Sequence, residues 1–143
     1  MTLKQLSVFV ENKKGRLASI TRKIADNDID IRVLSLADTK DFGILRLIVS
    51  DPEKAKNILN ESGVIVKITD VLAVVMTDCP GGAADVLSLM SDNDIEVEYM
   101  YACAGKITGQ ALMILRTSDH ARAEKLLSEK GYDKTKAGDI YRI

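Results

Sequence analysis

The sequence has few of the residues on which many protein sites depend. Its 143 residues include two cysteines and one histidine. Two cysteines are too few for a disulfide scaffold or a four-ligand zinc site. One histidine excludes histidine-rich metal sites and most histidine-dependent catalytic triads. We therefore predict no catalytic site, no metal site and no cofactor.

Long hydrophobic runs and an excess of one charge are also missing. The longest apolar run, Val71–Met76, is far shorter than the roughly 20 residues that span a bilayer. A net charge of −1 argues against a nucleic-acid-binding surface. With 46% hydrophobic and 29% charged residues, the composition is typical of a soluble globular protein. We expect a cytoplasmic protein whose partners include neither membrane nor nucleic acid.

What the sequence does contain is an internal duplication. The segment Asp26-Asn27-Asp28-Ile29-Asp30-Ile31 returns as Asp92-Asn93-Asp94-Ile95-Glu96-Val97, a shift of 66 residues. Later matches, such as Gly63 with Gly131, have a shift of 68, so the second copy has two extra residues near its third strand. We predict two repeats, residues 1–70 and 71–143. Each repeat is so small that it would be only marginally stable alone, which favours their fusion.

Each repeat shows the order strand, helix, strand, strand, helix, strand. Period-two and period-3.6 hydrophobic patterns, a helix start at Ser50-Asp51-Pro52 and a stop at Gly63 predict the elements. In the first repeat the strands are Gln5–Val10, Asp28–Leu36, Phe42–Val49 and Val64–Thr69, with helices from Leu17 to about Asn27 and from Pro52. In the second repeat the strands are Val71–Met76, Ile95–Cys103, Thr108–Arg116 and Asp139–Ile143, with helices Gly82–Asp92 and Ser118–Lys130.

This order predicts the fold class. It is α+β: two ferredoxin-like βαββαβ repeats packed together, with antiparallel sheets and helices on one face. In the second strand, Ile29, Ile31 and Val33 are expected on the buried side and Asp30 and Arg32 on the other. The strand Val71–Met76 is apolar on both faces, which predicts that the sheet face away from the helices is also covered. We expect a dimer of chains packed through that face.

The two loops that join a first strand to a first helix are similar. They are Asn12–Leu17 and Asp78–Ala83, each an [Asn/Asp]-x-x-Gly turn entering a helix. With the duplicated acid-rich segment, these loops resemble ACT domains, which are small amino-acid-sensing modules of biosynthetic enzymes and regulators. The resemblance covers both repeats and indicates a free-standing tandem ACT protein. It implies an amino acid effector bound where two modules lie side by side, and a signal to a partner enzyme of amino-acid metabolism.

The candidate ligand-binding residues come from these loops and from the second strands. Glycine lets the backbone approach a ligand, and the free N–H groups of a helix N-terminus suit a carboxylate, which favours Gly15, Gly81 and Gly82. By the resemblance, Asn12, Asp78, Asp30 and Glu96 fall at positions that often contact the ligand. Acids stand at the last two, where many family members have asparagine. The remaining candidates are Arg16, Leu17, Cys79, Pro80 and Ala83.

Structural interpretations of the same residues stay open. Asn12 and Asp78 could be turn or helix caps, and Pro80-Gly81 is an ordinary turn pair. Asp30 and Glu96 could be solvated or in ion pairs. Cys79 could be a stabilised thiolate or a small loop residue. The basic residues Lys13, Lys14 and Arg16 could meet a ligand carboxylate or be solvated, whereas the lone histidine, His120, is expected on the surface.

Three other functions are compatible with parts of the pattern. A structural subunit without a ligand would explain the acids at the second strands. A small ferredoxin-like hydrolase would need a phosphate-binding loop, and neither loop is rich enough in glycine. An RNA-binding module would need exposed aromatic residues on the central strands, which Phe42–Val49 and Thr108–Arg116 do not offer as a stacking pair.

Overall fold

The computed structural model describes residues 1–38, 42–104 and 109–132. Its described residues divide into an N-terminal unit, Lys4–Thr69, and a C-terminal unit formed by Met1–Leu3 and Asp70–Tyr132. The elements in chain order are β1 (Thr2–Glu11), α1 (Arg16–Ala25), β2 (Ile31–Asp38), β3 (Phe42–Val49), α2 (Pro52–Asn60), β4 (Val66–Thr77), α3 (Gly82–Ser91), β5 (Val97–Ala104), β6 (Gln110–Thr117) and α4 (His120–Glu129). The predicted last strand, Asp139–Ile143, lies outside the described residues.

The N-terminal unit has the strand order β2-β3-β1-β4, with β1 and β2 antiparallel to β3. Both of its helices pack on the same face of this sheet. Ile20 and Ile24 of α1 and Leu59 of α2 are buried in one cluster with the alternate residues Leu6, Val8 and Val10 of β1. The predicted start of α2 is confirmed, because the Asp51 side chain accepts a hydrogen bond from the Lys54 N–H and Pro52 stands in the first turn.

The C-terminal unit repeats this arrangement with the strand order β4-β6-β5. Val86 and Met90 of α3 and Leu127 of α4 are buried against alternate residues of β4 and β6, which include Leu72, Val74, Met113 and Leu115. The Ala73 N–H donates to the carbonyl oxygen of Met1 at 2.9 Å, so the first residues of β1 extend this sheet beside β4.

The second strand of each repeat begins later than predicted. β2 begins at Ile31 and β5 at Val97, whereas the hydrophobic pattern predicts starts at Asp28 and Ile95. Asp28 has a φ of 56° and Asp94 a φ of 52°, which is a left-handed conformation that a short polar residue tolerates in a turn. The duplicated Asp-Asn-Asp segment is therefore the turn that follows the first helix, not the beginning of a strand.

A bulge then changes which side chains face the helices. Ile31 pairs with Val49, but Val33 pairs with Ile48, so β2 advances two residues while β3 advances one. Directly paired residues share a face, and Val49 belongs to the helix-side core whereas Ile48 does not. The prediction that Val33 lies on the same face of the strand as Ile31 is therefore wrong. β5 has the same irregularity between Val97 and Tyr99.

The sheet face away from the helices differs between the units. In the C-terminal unit, Val71 and Ala73 are fully buried within the single chain, so their burial gives no reason to expect a partner chain there. In the N-terminal unit, Phe9, Phe42 and Ile65 are exposed. They lie on the face away from the helices, because each is either next in sequence to a helix-side core residue or paired with a residue that is. Within the described residues, no helix has the length and apolar character needed to cross a membrane.

Candidate functional site

A tight backbone turn joins β1 to α1. The Lys13 N–H donates to the Glu11 carbonyl at 2.7 Å and the Arg16 N–H to the Lys13 carbonyl at 3.1 Å. Gly15 precedes the helix with a φ of 82°, and no atom lies within 4 Å of the place where its Cβ would be. The turn therefore requires glycine for its left-handed backbone, and the space beside that glycine is open.

Beside this turn lies a cavity of about 280 Å³. Its wall combines the loop with the facing ends of two strands: Val10, Glu11, Asn12, Lys13, Lys14, Leu17, Leu36 and Gly43. A Cβ at Gly43 would lie 3.1 Å from Cδ1 of Leu36, so glycine at this position leaves room for the leucine. Two sequence-predicted residues, Asn12 and Leu17, line the cavity directly, and Gly15 and Arg16 lie between them in the loop.

Four lining residues were not predicted from the sequence, namely Glu11 at the end of β1 and the strand residues Val10, Leu36 and Gly43. Val10 and Gly43 are paired across β1 and β3, and Leu36 comes from the far end of β2. Their proximity depends on strand register, which the local pattern does not reveal. One signal was available for Gly43, because Gly109 occupies the equivalent position of the second repeat.

The first helix of each repeat lacks a side-chain cap, whereas the second helix has one. Gly15 and Gly81 precede α1 and α3, and glycine has no side chain with which to cap the helix N-terminus. In contrast, Asp51 caps α2, and the Asp119 side chain accepts a hydrogen bond from the Arg122 N–H at the start of α4. The first N–H groups of a helix have no partner within the helix. Those of Arg16 and Gly82 donate to loop carbonyls, and α1 and α3 can offer the N–H groups that follow to an anionic ligand.

The charges at the N-terminal loop are mainly positive. The Lys13 ammonium group lies 2.8 Å from the Glu11 carboxylate. The hydrogen bond from Lys13 and its positive charge lower the pKa of Glu11, and the charge of Arg16 lowers it further by a smaller amount. Lys14 has no ion pair with any residue that the structure describes. Glu11 is thus ionised at neutral pH, and the loop retains uncompensated positive charge.

The loop between β4 and α3 is built on the same backbone plan. Gly81 has a φ of 98°, the Gly82 N–H donates to the Cys79 carbonyl at 3.1 Å, and the Asp78 N–H donates to the Gly109 carbonyl at 2.9 Å. Asp78, Cys79, Pro80 and Gly81 are exposed, Ala83 is half-buried and Gly82 is buried. The predicted loop residues of the second repeat therefore lie together around the start of α3.

Asp30 and Glu96 lie elsewhere in their units. Each immediately precedes its strand, and its backbone exchanges hydrogen bonds with a serine at the end of the third strand: Asp30 with Ser50 and Glu96 with Ser118. The Asp30 carboxylate also pairs with Arg32 at 2.6 Å. About 20 Å of strand separates Asp30 from Leu36 at the cavity. Within a unit, these acids are not brought together with the glycine loops.

The comparisons with known proteins identify the family. Residues 1–142 match the family described as the ACT domain pair, and this chain belongs to that family. The predicted resemblance is confirmed, and so is the ferredoxin-like α+β fold class. No curated protein sequence matches the chain significantly.

Solved structures agree with this assignment. Protein BT0572 from Bacteroides thetaiotaomicron is similar to this chain with 40% sequence identity and a TM-score of 0.93, over 100% of this chain and 98% of that one. The regulatory subunit of aspartate kinase from Thermus thermophilus, in its ligand-free form, has 9% identity and a TM-score of 0.61, over 90% and 91% of the two chains. The regulatory subunit of aspartate kinase from Thermus flavus has 11% identity and a TM-score of 0.62 over the same shares. The last two similarities concern the fold alone.

Proposed function

We propose that this ACT domain pair binds a free amino acid beside the first helix of a repeat and regulates a partner enzyme of amino-acid metabolism. The observation that carries the proposal is the contrast in helix capping. Asp51 and Asp119 occupy the N-termini of α2 and α4, while glycine leaves the N-termini of α1 and α3 accessible. An amino acid has a carboxylate to place there, and helix N-termini are favourable positions for such groups.

The cavity of the N-terminal unit supports the same proposal. Its volume of about 280 Å³ is near the lower end of the range for small-molecule sites, which suits a small ligand. Its wall is partly apolar, with Val10, Leu17 and Leu36, and partly charged, with Glu11 and two lysines. Ionised Glu11 supplies a partner for the ammonium group of an amino acid.

Regulation through a partner is proposed from the family. The aspartate kinase proteins with this fold are regulatory subunits, and we propose that this chain likewise acts on an enzyme and does not itself catalyse a reaction. A ligand that binds one arrangement of the protein better than another shifts the population toward that arrangement. The partner enzyme would then recognise the favoured arrangement.

We further propose that the protein acts in the cytoplasm as a homodimer. The exposed patch formed by Phe9, Phe42 and Ile65 supports association, because monomers seldom expose large contiguous apolar surfaces. The sequence predicted a dimer through the corresponding face of the second repeat, and the patch proposed here lies in the N-terminal unit instead.

A thermal-shift screen against the twenty L-amino acids tests the proposal. A ligand at 100 times its dissociation constant should add about 2.7 kcal/mol to the free energy of unfolding. Leu36→Glu should abolish the shift by placing a carboxylate in the cavity. Leu34→Glu is the matched control, because Leu34 is exposed on the same strand but does not line the cavity. If no amino acid shifts the transition, a subunit without a ligand replaces this proposal.

A further inference from the structure

The duplication allows the two loops to be compared position by position. At a shift of 66 residues, Lys13, Lys14 and Arg16 of the N-terminal loop correspond to Cys79, Pro80 and Gly82 of the C-terminal loop. All three cations of the first loop are thus replaced by uncharged residues. Gly15 and Gly43 are retained as Gly81 and Gly109, and each loop enters a helix, which makes the C-terminal loop an internal reference for the charge of the first.

The acidic residues strengthen the contrast. The first loop has one acid, Glu11, which is paired with Lys13 at 2.8 Å. The second loop has Asp78 at the position of Asn12, and Asp85 in the first turn of α3, whereas the first turn of α1 has no acid. Both acids of the second loop are exposed. The first loop therefore has a positive and the second a negative local charge.

Lys14 is the group best placed to use this difference. It lines the cavity, it is exposed, and none of the described residues forms an ion pair with it. Arg16, close enough to act on Glu11, adds a second positive charge at the start of the helix. An amino acid whose α-carboxylate lies at the start of α1 could place a second carboxylate beside these cations.

We propose that the cavity of the N-terminal unit selects an acidic amino acid, aspartate or glutamate, and that the loop of the C-terminal unit does not bind one. This inference rests on the proposed function, since it names the ligand class of the same site. Lys14 and Arg16 recognise the side-chain carboxylate, and Glu11 faces the ammonium group. Asp78 and Asp85 repel a second carboxylate at the other loop.

Isothermal titration calorimetry with the amides as isosteric controls tests this selection. L-Glutamate and L-aspartate should bind at one molecule per chain, and L-glutamine and L-asparagine at least about tenfold more weakly, since a charge-assisted hydrogen bond is lost. Affinity for the acidic ligands should also fall as the salt concentration rises, because the cations are exposed.

A pair of charge-removing variants locates the effect. Lys14→Gln should weaken L-glutamate or L-aspartate binding about tenfold and leave the amides nearly unchanged. Arg22→Gln removes the same charge from the last turn of α1 and should change neither. Equal losses in both variants would overturn the assignment to Lys14. Two acidic ligands per chain would overturn the exclusion of such a ligand from the C-terminal loop.

The two proposals fail in different ways. Tight binding of a neutral or basic amino acid, lost in Leu36→Glu, would overturn the acidic class but keep the sensing function. Absence of binding for all twenty amino acids would overturn both.

Discussion

Gly82 lies directly against Thr77, so that a Cβ atom at Gly82 would overlap the Thr77 carbonyl oxygen. The equivalent residue of the first repeat is Arg16, which carries a Cβ and is half-buried. The starts of α1 and α3 therefore cannot hold the same position relative to the preceding strand. The duplicated loops have diverged in backbone placement as well as in charge.

Gly82→Ala should destabilise the C-terminal unit, because the new methyl group meets backbone and not a flexible side chain. Overpacking of this kind typically lowers the free energy of unfolding by about 1–3 kcal/mol. Arg16→Ala changes the equivalent position without adding an atom, and it should be nearly neutral. Urea denaturation of the two variants measures the difference, and equal stability would contradict the close contact between Gly82 and Thr77.

Thr117→Val should stabilise the protein by about 1–2 kcal/mol, because a buried hydroxyl without a partner is costly. The Thr117 hydroxyl is buried and has no hydrogen-bond partner among the residues that the structure describes. Val49 occupies the equivalent position of the first repeat and is fully buried. The reciprocal change, Val49→Thr, should lower stability by about 1–3 kcal/mol. Thermal melts of both variants test the pair, and a destabilised Thr117→Val would show that the hydroxyl is satisfied.

The two cysteines should react with alkylating agents at different rates. Cys79 is exposed, whereas Cys103 is half-buried on β5 and burial raises the pKa of its thiol. Since the thiolate is the nucleophile, iodoacetamide near pH 8 should modify Cys79 first, and Cys103 should need higher pH. Mass spectrometry of partly modified protein follows both sites, with Cys79→Ser as the control. Equal rates would contradict the protection of Cys103.

Ile65→Asp should dissociate the proposed homodimer without unfolding the chain, because 69% of this side chain is exposed. Leu34→Asp is the control: Leu34 is 58% exposed, but it pairs with core residue Leu47 and so lies on the helix side of the sheet. Sedimentation velocity gives the masses. Dissociation by Leu34→Asp alone would place the contact at the β2 edge instead of the sheet face.

The duplicated pattern predicted much of the fold. The structure agrees with the predicted order of strands and helices, with the Asp51 cap and with the helix stop at Gly63, which has a left-handed φ of 76°. All of these features depend on residues that are close in sequence. The placement of Val33 was wrong because a bulge depends on pairing between strands. Likewise, Asp28 looked like the start of a strand because the hydrophobic alternation begins beside it, but its backbone completes a turn.

The candidate site was only partly predictable. A glycine before a helix can be recognised in the local sequence, and it identified both loops. Asn12 and Leu17 of the first loop do line the cavity. Leu36 and Val10 could not be selected, because they reach the loop only through the register of β1, β2 and β3. The sequence shows Lys14 as a basic loop residue, but its proposed role depends on the cavity beside it. Whether the candidate residues bind a ligand stays a prediction.

Two-dimensional ¹H–¹⁵N NMR of the full chain, titrated with L-glutamate and in parallel with L-glutamine, tests most directly whether the cavity is the binding site. We expect saturable shifts of the backbone amides of Gly15, Leu17 and Gly43 with L-glutamate, and weaker shifts of the same amides with L-glutamine. Saturable shifts confined to residues away from the cavity would contradict the site, and no saturable shift with any of the twenty amino acids would contradict amino acid binding itself.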